Sequence, residues 1–415
     1  MSIFPGIHLR ITLLLLSIIC PGILLAQVKT GEPLPPWSEG YLDMHHINTG
    51  RGECLFAILP DGTTLVVDAG EVVPSSRVTP ARPDDSKSTG EWISRYIQRA
   101  IEPLPRKEID YIFLTHFHDD HMGEVRLARE KSEKGDYLLT GITEVGDRIP
   151  FKKIVDRGWP EYNYPKPMSS DPNMANYIRF VECHVANGAT AEQFVVGSNQ
   201  QFVLLRNAER YPGFEIRNIA ANGTVWTGVG DHTRDHFPPL ETLEADKFPG
   251  ENQCSAAIRI SYGKFDYFSG GDIVHSNAIG SWRDIETPVG WVTGPVEVCD
   301  ANHHAYHDAM GEPFLKAVRP RVIIMQLWSA SHPDHRTLQR LLDQSIYPGE
   351  RDIFATNLME ATRVVLGRRV NQLKSHQGHI VTRVHPGGDL YTIYVLDDSS
   401  EAYAVKSIHG PYESR

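Results

Sequence analysis

The run His116-Phe117-His118-Asp119-Asp120-His121 gathers three imidazoles and two carboxylates directly after an apolar stretch of this 415-residue chain. Asp110 to Thr115 reads as a short buried strand. A segment leaving it still extended turns His116 and His118 to one side, where two imidazoles can grip one cation. Asp120 and His121, offset by the following turn, can address a second cation about 3.5–4 Å from the first, the separation used in two-metal hydrolysis. A mixed imidazole and carboxylate set suits borderline divalent ions, with zinc as first choice and manganese or iron as alternatives.

These residues resemble the H-x-H-x-D-H signature of the metallo-β-lactamase superfamily, matched here by His116, His118, Asp120 and His121. Upstream, the stretches 41–50, 53–62 and 64–70, the last reading Thr-Leu-Val-Val-Asp-Ala-Gly, are similar to the opening strands of that fold. They are most similar to the branch containing the hydrolase domain of the bacterial DNA-uptake channel protein and its exported stand-alone relatives. Phe268-Ser-Gly-Gly-Asp272 and Ala301-Asn-His-His304 resemble later metal-loop motifs of that branch, so the resemblance covers about 41–350.

The resemblance implies an α/β fold, an αββα metallo-β-lactamase-type sandwich, holding two divalent metal ions. It makes Asp272 the bridging carboxylate and one of His303 and His304 the last imidazole ligand, the other being a proton donor or a support. Asp120 and His304 are the expected catalytic residues, and Asp68 the carboxylate beneath the metal loop. Many family members carry a further histidine about one hairpin before the bridging Asp, but here the chain reads Glu251-Asn-Gln-Cys-Ser255. Two alternatives stay open. Either Asn252 or Glu251 fills the place, or the loop 230–236 folds back to offer His232 or His236. His332 and His335 are further candidates to line the cleft, with Asp334 as a helix N-cap.

The elements that must position these groups follow from local patterning. Pro60-Asp61-Gly62 reads as a hairpin turn and Glu91–Ile101 as an amphipathic helix. Gly123–Lys134 reads as helical. Two strands within Ser255–Asp272 are joined at Tyr262-Gly-Lys264, and a buried strand at Arg321–Leu327 precedes a helix over His335–Gln344. Three late strands fall near 379–384, 390–396 and 402–407. The segment 146–252, rich in Pro, Gly, Tyr and Trp, reads as a long loop-rich insertion whose aromatics (Trp159, Tyr162, Tyr164, Tyr177, Trp226) either wall a pocket or anchor the loops.

At the N-terminus, residues 1–26 read as a signal peptide, with an apolar run over Ile11–Ile19 too short for a confident membrane span. Cys20 lacks the small residue before it that a lipoprotein box wants. Residues 27–40 read as a linker to a domain over 41–415, and the protein is expected in the periplasm or secreted. Cys54, Cys183, Cys254 and Cys299 are either two disulfides or four ordinary thiols. A hydrophobic fraction of 41% supplies a core, and a net charge of −11 argues against a broad basic face for nucleic acid. The reading is an exported metal-dependent hydrolase of a small-molecule or envelope-component substrate, without a membrane span in the mature chain. A phosphodiester or phosphoester is the first choice and a lactone, thioester or β-lactam the second, while a non-catalytic metal-binding protein is the reading from another class. A phosphodiester would call for a cation beside the metals, with Arg234 or Lys264 as candidates.

Overall fold

The computed structural model describes Ser2 and residues 28–415. The expected signal segment, Ser2 apart, lies outside the described residues.

Alternation along the strands sorts the chain into four layers. In Thr64–Val67 and Ile109–Leu114, Leu65, Val67, Tyr111 and Phe113 face one way while Val66, Ile112 and Leu114 face the other. Among the described residues nine strands form one sheet. Its spatial order is Val405–Glu413, Leu390–Leu396, His379–Val384, Leu42–His46, Leu55–Ile58, Thr64–Val67, Ile109–Leu114, Phe151–Asp156 and Thr190–Gln193. Eight form the other, in the order Asp352–Ala355, Val322–Met325, Val298–Asp300, Phe265–Ser269, Ala257–Tyr262, Phe214–Ala221, Thr224–Trp226 and Thr233–Asp235.

The inner faces pack Leu42, Met44, Leu65 and Phe113 against Ile258, Ile260, Val298 and Ile324. Helices Thr89–Ala100, Gly141–Arg148 and Pro172–Ala186 cover the outside of the first sheet. Helices Glu286–Thr293, Glu312–Val318 and His335–Leu342 cover the second. This is the expected αββα sandwich. Each sheet is antiparallel on one side and parallel on the other, and the parallel strands of both end on the same rim. Loops beyond the carboxyl ends of parallel strands are where α/β sheets place their sites.

Three expectations change. Gly123–Lys134 is not a helix beyond a single turn at Val125–Leu127, because it offers the core no apolar stripe: Glu124 and Ser132 are buried but Val125 and Leu127 only half so. The helix comes later, at Gly141–Arg148, which buries Ile142 and Val145. The segment 146–252 is not mainly a loop-rich insertion, since it supplies two strands to the first sheet, three to the second and a 15-residue helix. Its Tyr162 and Tyr177 donate to the buried Asp156 at 2.9 and 2.8 Å, so these aromatics are anchors. The described part of the linker is docked, because Gly31 donates to Val405 O at 2.8 Å and Val405 donates to Glu32 O at 2.9 Å. Cys54, Cys183, Cys254 and Cys299 are free thiols.

Candidate metal centre

The strand Ile109–Leu114 leaves extended backbone as far as His118 (φ −88°, ψ 154°), which turns His116 and His118 together. His116 Nε2 lies 3.2 Å from His118 Nδ1 and 3.7 Å from Asp272 Oδ2. The short turn Asp119–Met122 then carries Asp120 and His121 to the other side of Asp272. His121 Nε2 is 3.2 Å from Asp272 Oδ1 and 3.7 Å from Asp120 Oδ2.

Asp68 holds this loop from below. Its carboxylate accepts from the Thr115 amide (2.8 Å) and hydroxyl (2.7 Å) and from His121 Nδ1 (2.8 Å), which leaves Nε2 of His121 to face the centre. The next two residues bind the loop's backbone: Ala69 donates to His121 O, and a Cβ on Gly70 would stand 1.7 Å from Asp120 O, so only glycine allows the approach.

Asp272 follows the strand Phe265–Ser269 through Gly270-Gly271. Gly271 has φ +53°, and a side chain there would press on Thr115. His303 and His304 follow Val298–Asp300 in left-handed backbone, with φ 46° and 51°. Such strain costs about 1–3 kcal/mol per residue and persists where the surroundings over-determine it. Here His303 N donates to Gly271 O, Asn302 donates to the buried Glu286, and Asp334 N donates to Ala305 O. The result aims both imidazoles at Asp272. His304 Nε2 is 2.9 Å from Asp120 Oδ2 and 3.6 Å from Asp272 Oδ1, and His303 Nε2 is 3.8 Å from Asp272 Oδ2.

Two donor sets therefore share one carboxylate. Asp272 Oδ2 faces His116, His118 and His303; Asp272 Oδ1 faces His121 and His304, with Asp120 Oδ2 beside those two imidazoles. The charges are arranged to match. Burial pushes the Asp272 carboxyl up, but the His121, His304 and His303 imidazoles outweigh burial and hold it well below the usual range. Burial, reinforced by His121, keeps His116 well below the ordinary imidazole value and so neutral. His121 Nε2, Asp272 Oδ1 and Asn252 Oδ1 are buried without hydrogen-bond partners among the described residues. Buried polar atoms left without partners are costly unless something binds them, and once His121 gives up its proton the set fits divalent cations.

The structure does not bring His232 and His236 into this set. His232 is exposed at the hairpin before the edge strand Thr233–Asp235, and His236 is half-buried after it, its amide donating to Gly223 O. Asn252 comes instead, with Nδ2 3.1 Å from His303 Nε2. Glu251 is committed elsewhere, to the buried Arg157 guanidinium and the Phe117 amide. Neither expected extra cation is at the centre: Lys264 sits at the far end of the Phe265–Ser269 strand, 3.4 Å from Asp389, and Arg234 is exposed on the edge strand. His335 is also exposed, whereas His332 is buried and stacks on His304 with ring centroids 4.9 Å apart.

Supporting residues that motif spacing did not single out lie behind His304. Its Nδ1 bonds Gln326 O at 2.9 Å and lies 3.4 Å from Glu53, while Trp328 Nε1 donates to its Nε2 at 3.3 Å. Glu53 clusters with His121, Asp272 and His304, but it meets His304 on the Nδ1 face and is therefore a support. Burial pushes its neighbour Asp300 up to about 7.

Residues 50–165 match the family model of the Metallo-beta-lactamase superfamily. The match places that stretch in the superfamily. The two packed sheets form a metallo-β-lactamase-type sandwich, and the His and Asp cluster suits a metal site. No curated protein matches the chain at the level of sequence. Among solved structures, a new diphosphatase from the PhnP family aligns with 68% of this chain and 85% of its own, at 9% identity and a TM-score of 0.30. Human tRNase Z, short form, aligns with 68% of this chain and 91% of its own, at 11% identity and a TM-score of 0.29.

Proposed function

We propose that the protein hydrolyses a phosphodiester or phosphoester with two divalent cations, zinc in the first instance, one in each donor set of the centre. The observation that carries this reading is the division of Asp272 between the two sets, one oxygen to each. When bound, such a pair of cations lowers the pKa of a water and offsets the negative charge that develops on the substrate's oxygens.

The chain's own residues supply the rest. Asp120, 2.9 Å from His304 Nε2, stands where a proton can be held during the reaction. Asn252 Nδ2 and the Trp328 indole N–H now meet the Nε2 atoms of His303 and His304, and would be released toward phosphoryl oxygens if those nitrogens turned to cations. A lactone or β-lactam would be better served by apolar walls and a single oxyanion donor. Asn252 in place of a histidine also supports kinship with the branch of the DNA-uptake hydrolase domain and its exported relatives. Action in the periplasm or outside the cell belongs to the same proposal and rests on the pattern of residues 1–26.

The test is turnover by the metal-replete protein of bis(p-nitrophenyl) phosphate and of p-nitrophenyl phosphorylcholine, beside a γ-lactone, a thioester and nitrocefin. Phosphoester cleavage that is lost with chelator and restored by zinc or manganese is the expected result. Turnover of the lactone, thioester or nitrocefin with none of either phosphoester overturns the reading.

A further inference from the structure

The short helix Glu360–Leu366, continued by the 3-10 helix Gly367–Gln372, follows the strand Asp352–Ala355 on the outer side of the second sheet. One face of it is fixed inward. The Thr362 hydroxyl donates to Ala330 O at 2.8 Å, and Leu366 and Leu373 join the core beneath. With 3.6 residues to the turn, that anchoring leaves Val364 and Val365 pointing outward. They are 76% and 70% exposed, the two most exposed large apolar side chains among the described residues, and they are neighbours in the chain. A solvated helix surface is better served by Lys, Glu or Ala than by β-branched residues.

The same segment is cationic. From Arg363 to Lys374 it carries four cations and no acid, in a chain of net charge −11. Arg363 lies 3.7 Å from Glu360 and Lys374 3.5 Å from Asp352. Arg368 and Arg369 are exposed and form no ion pair among the described residues. The patch also stands beside the metal centre. Thr362 and Val365 form one wall of a hollow of about 430 Å³ whose other wall includes Tyr306, His307 and Pro333. The Tyr306 ring centroid is 5.3 Å from that of His303 and 5.7 Å from that of His332, the residue stacked on His304.

We propose that the segment 360–372 is a docking surface for an anionic lipid bilayer: Val364 and Val365 enter the interface, Arg368 and Arg369 meet the headgroups, and the hollow beside the metal centre is brought to the membrane. Helices with an apolar edge flanked by basic residues bind such interfaces, and each cation near an anionic surface strengthens binding about fivefold. The same residues disfavour two other occupants. A nucleic acid gains nothing from exposed valines and is held by roughly 6–10 phosphate contacts, more than this patch offers. A second copy docked on the valines about a two-fold axis would bring Arg368 and Arg369 against their own equivalents.

The test is hydrogen exchange, read by mass spectrometry on the full chain with vesicles of equal parts phosphatidylglycerol and phosphatidylcholine, and with phosphatidylcholine alone. Amides of 360–372 should exchange several-fold more slowly on the mixed vesicles. Half-maximal protection should need about 25-fold less lipid than with phosphatidylcholine, the worth of two unpaired arginines. The readout is local, so binding through the apolar run Ile11–Ile19 does not imitate it. Val364→Asp/Val365→Asp should abolish the protection, and Arg368→Gln/Arg369→Gln should bring the two kinds of vesicle to equal effect, with metal content and melting temperature at the wild-type values. Should the aspartates unfold the helix, Val364→Ser/Val365→Ser carries the same test. Protection that survives the valine variants, equal protection of the wild type by phosphatidylcholine, or vesicle binding that leaves 360–372 unprotected overturns the proposal. Protection by a DNA duplex or by self-association in place of lipid overturns it as well.

Discussion

Asn252 Nδ2 lies 3.1 Å from His303 Nε2, and the other amide atom, Oδ1, is buried without a partner among the described residues. An amide in this position can present its oxygen to a cation near His116 and His118, where related folds use an imidazole. The left-handed backbone at His303 makes the approach possible, because an extended residue there would carry the ring away from Asp272.

Asn252→Ala should therefore weaken binding of one of the two cations by roughly 10–100-fold, the scale of losing a ligand's partner or a weak ligand. His232→Ala and His236→Ala should bind metal like the wild type. Competition titrations with a chromophoric chelator read all three variants, and a loss confined to the loop histidines would mean that the exposed hairpin folds onto the centre in solution.

Asp272 joins the two sets, so its removal should affect both. Wild-type protein purified without chelator should hold close to two divalent ions per chain, and Asp272→Ala fewer than one, by elemental analysis. Unchanged metal content in the variant would show that the bridge lies elsewhere.

Much of this candidate centre was legible in the sequence because its donor groups sit in short segments whose geometry is local. His116, His118, Asp120 and His121 need only one strand end and one turn, and Asp272 needs a Gly-Gly turn after a strand. Fold class was legible for a similar reason, since the near-continuous apolar run after Asp110 marks a strand buried on both faces, and the stretches 41–50, 53–62 and 64–70 carry the resemblance to the sandwich's opening strands. What was not legible depends on distant contacts. His304 takes its place through Gln326 and Glu53, residues 22 positions after it and more than 200 before it, and no period in the sequence marks such a meeting. Gly123–Lys134 looked helical by composition, yet Asn173 and the carbonyls of Asp85 and Ser86 hold its Val125 and Arg129 in an irregular path. The Pro- and Tyr-rich segment looked like an insertion because Phe151–Asp156 and Phe214–Ala221 lie far apart in the chain while belonging to different sheets.

Asp68 acts on the cations only through His121 and Thr115, so Asp68→Asn keeps the shape and removes the charge behind the imidazole. Metal affinity should fall by roughly 10–100-fold. Crystallography of the variant should show His121 turned or its ring tautomer unsupported. Full affinity in Asp68→Asn would reduce the residue to a backbone anchor for Thr115.

His45 is buried and held down to about 4, below the unfolded value of 6.5. As pH falls, the unfolded chain is protonated first, so the stability this ring contributes is complete above about 6.5 and is lost progressively toward 4, to a total of about 3 kcal/mol. Asp300 and Glu286, both raised by burial to about 7, act in the opposite sense over part of that range, so the profile of the whole protein is not the readout. The readout is the difference in urea stability between metal-free wild type and His45→Gln, which should shift against the wild type between pH 7 and 4.5. A difference that is independent of pH would show that His45 is protonated in the fold.

Arg157 has no exposed side-chain surface, and its guanidinium is shared between Glu251, Asn222 Oδ1 at 2.8 Å and the carbonyl of Tyr164 at 3.1 Å, stacked on Phe117 with 4.6 Å to the ring centroid. Glu251 in turn accepts from the Phe117 amide inside the His116–His121 run at 2.8 Å. This pair thus ties the segment before Asn252 to the metal loop and is not a substrate-binding cation. Removing one partner of a buried pair leaves an uncompensated charge and typically costs about 3–5 kcal/mol, so Arg157→Ala should lower the unfolding free energy measured in urea by that amount. Glu251→Gln should cost somewhat less, since the amide oxygen can still accept from Phe117. The double variant Arg157→Ala/Glu251→Gln should lose less than the sum of the two single changes, because neither charge is then stranded. If Arg157→Ala instead leaves stability intact and raises KM for a phosphodiester with kcat unchanged, the guanidinium reaches the substrate and the structural role assigned to it here fails.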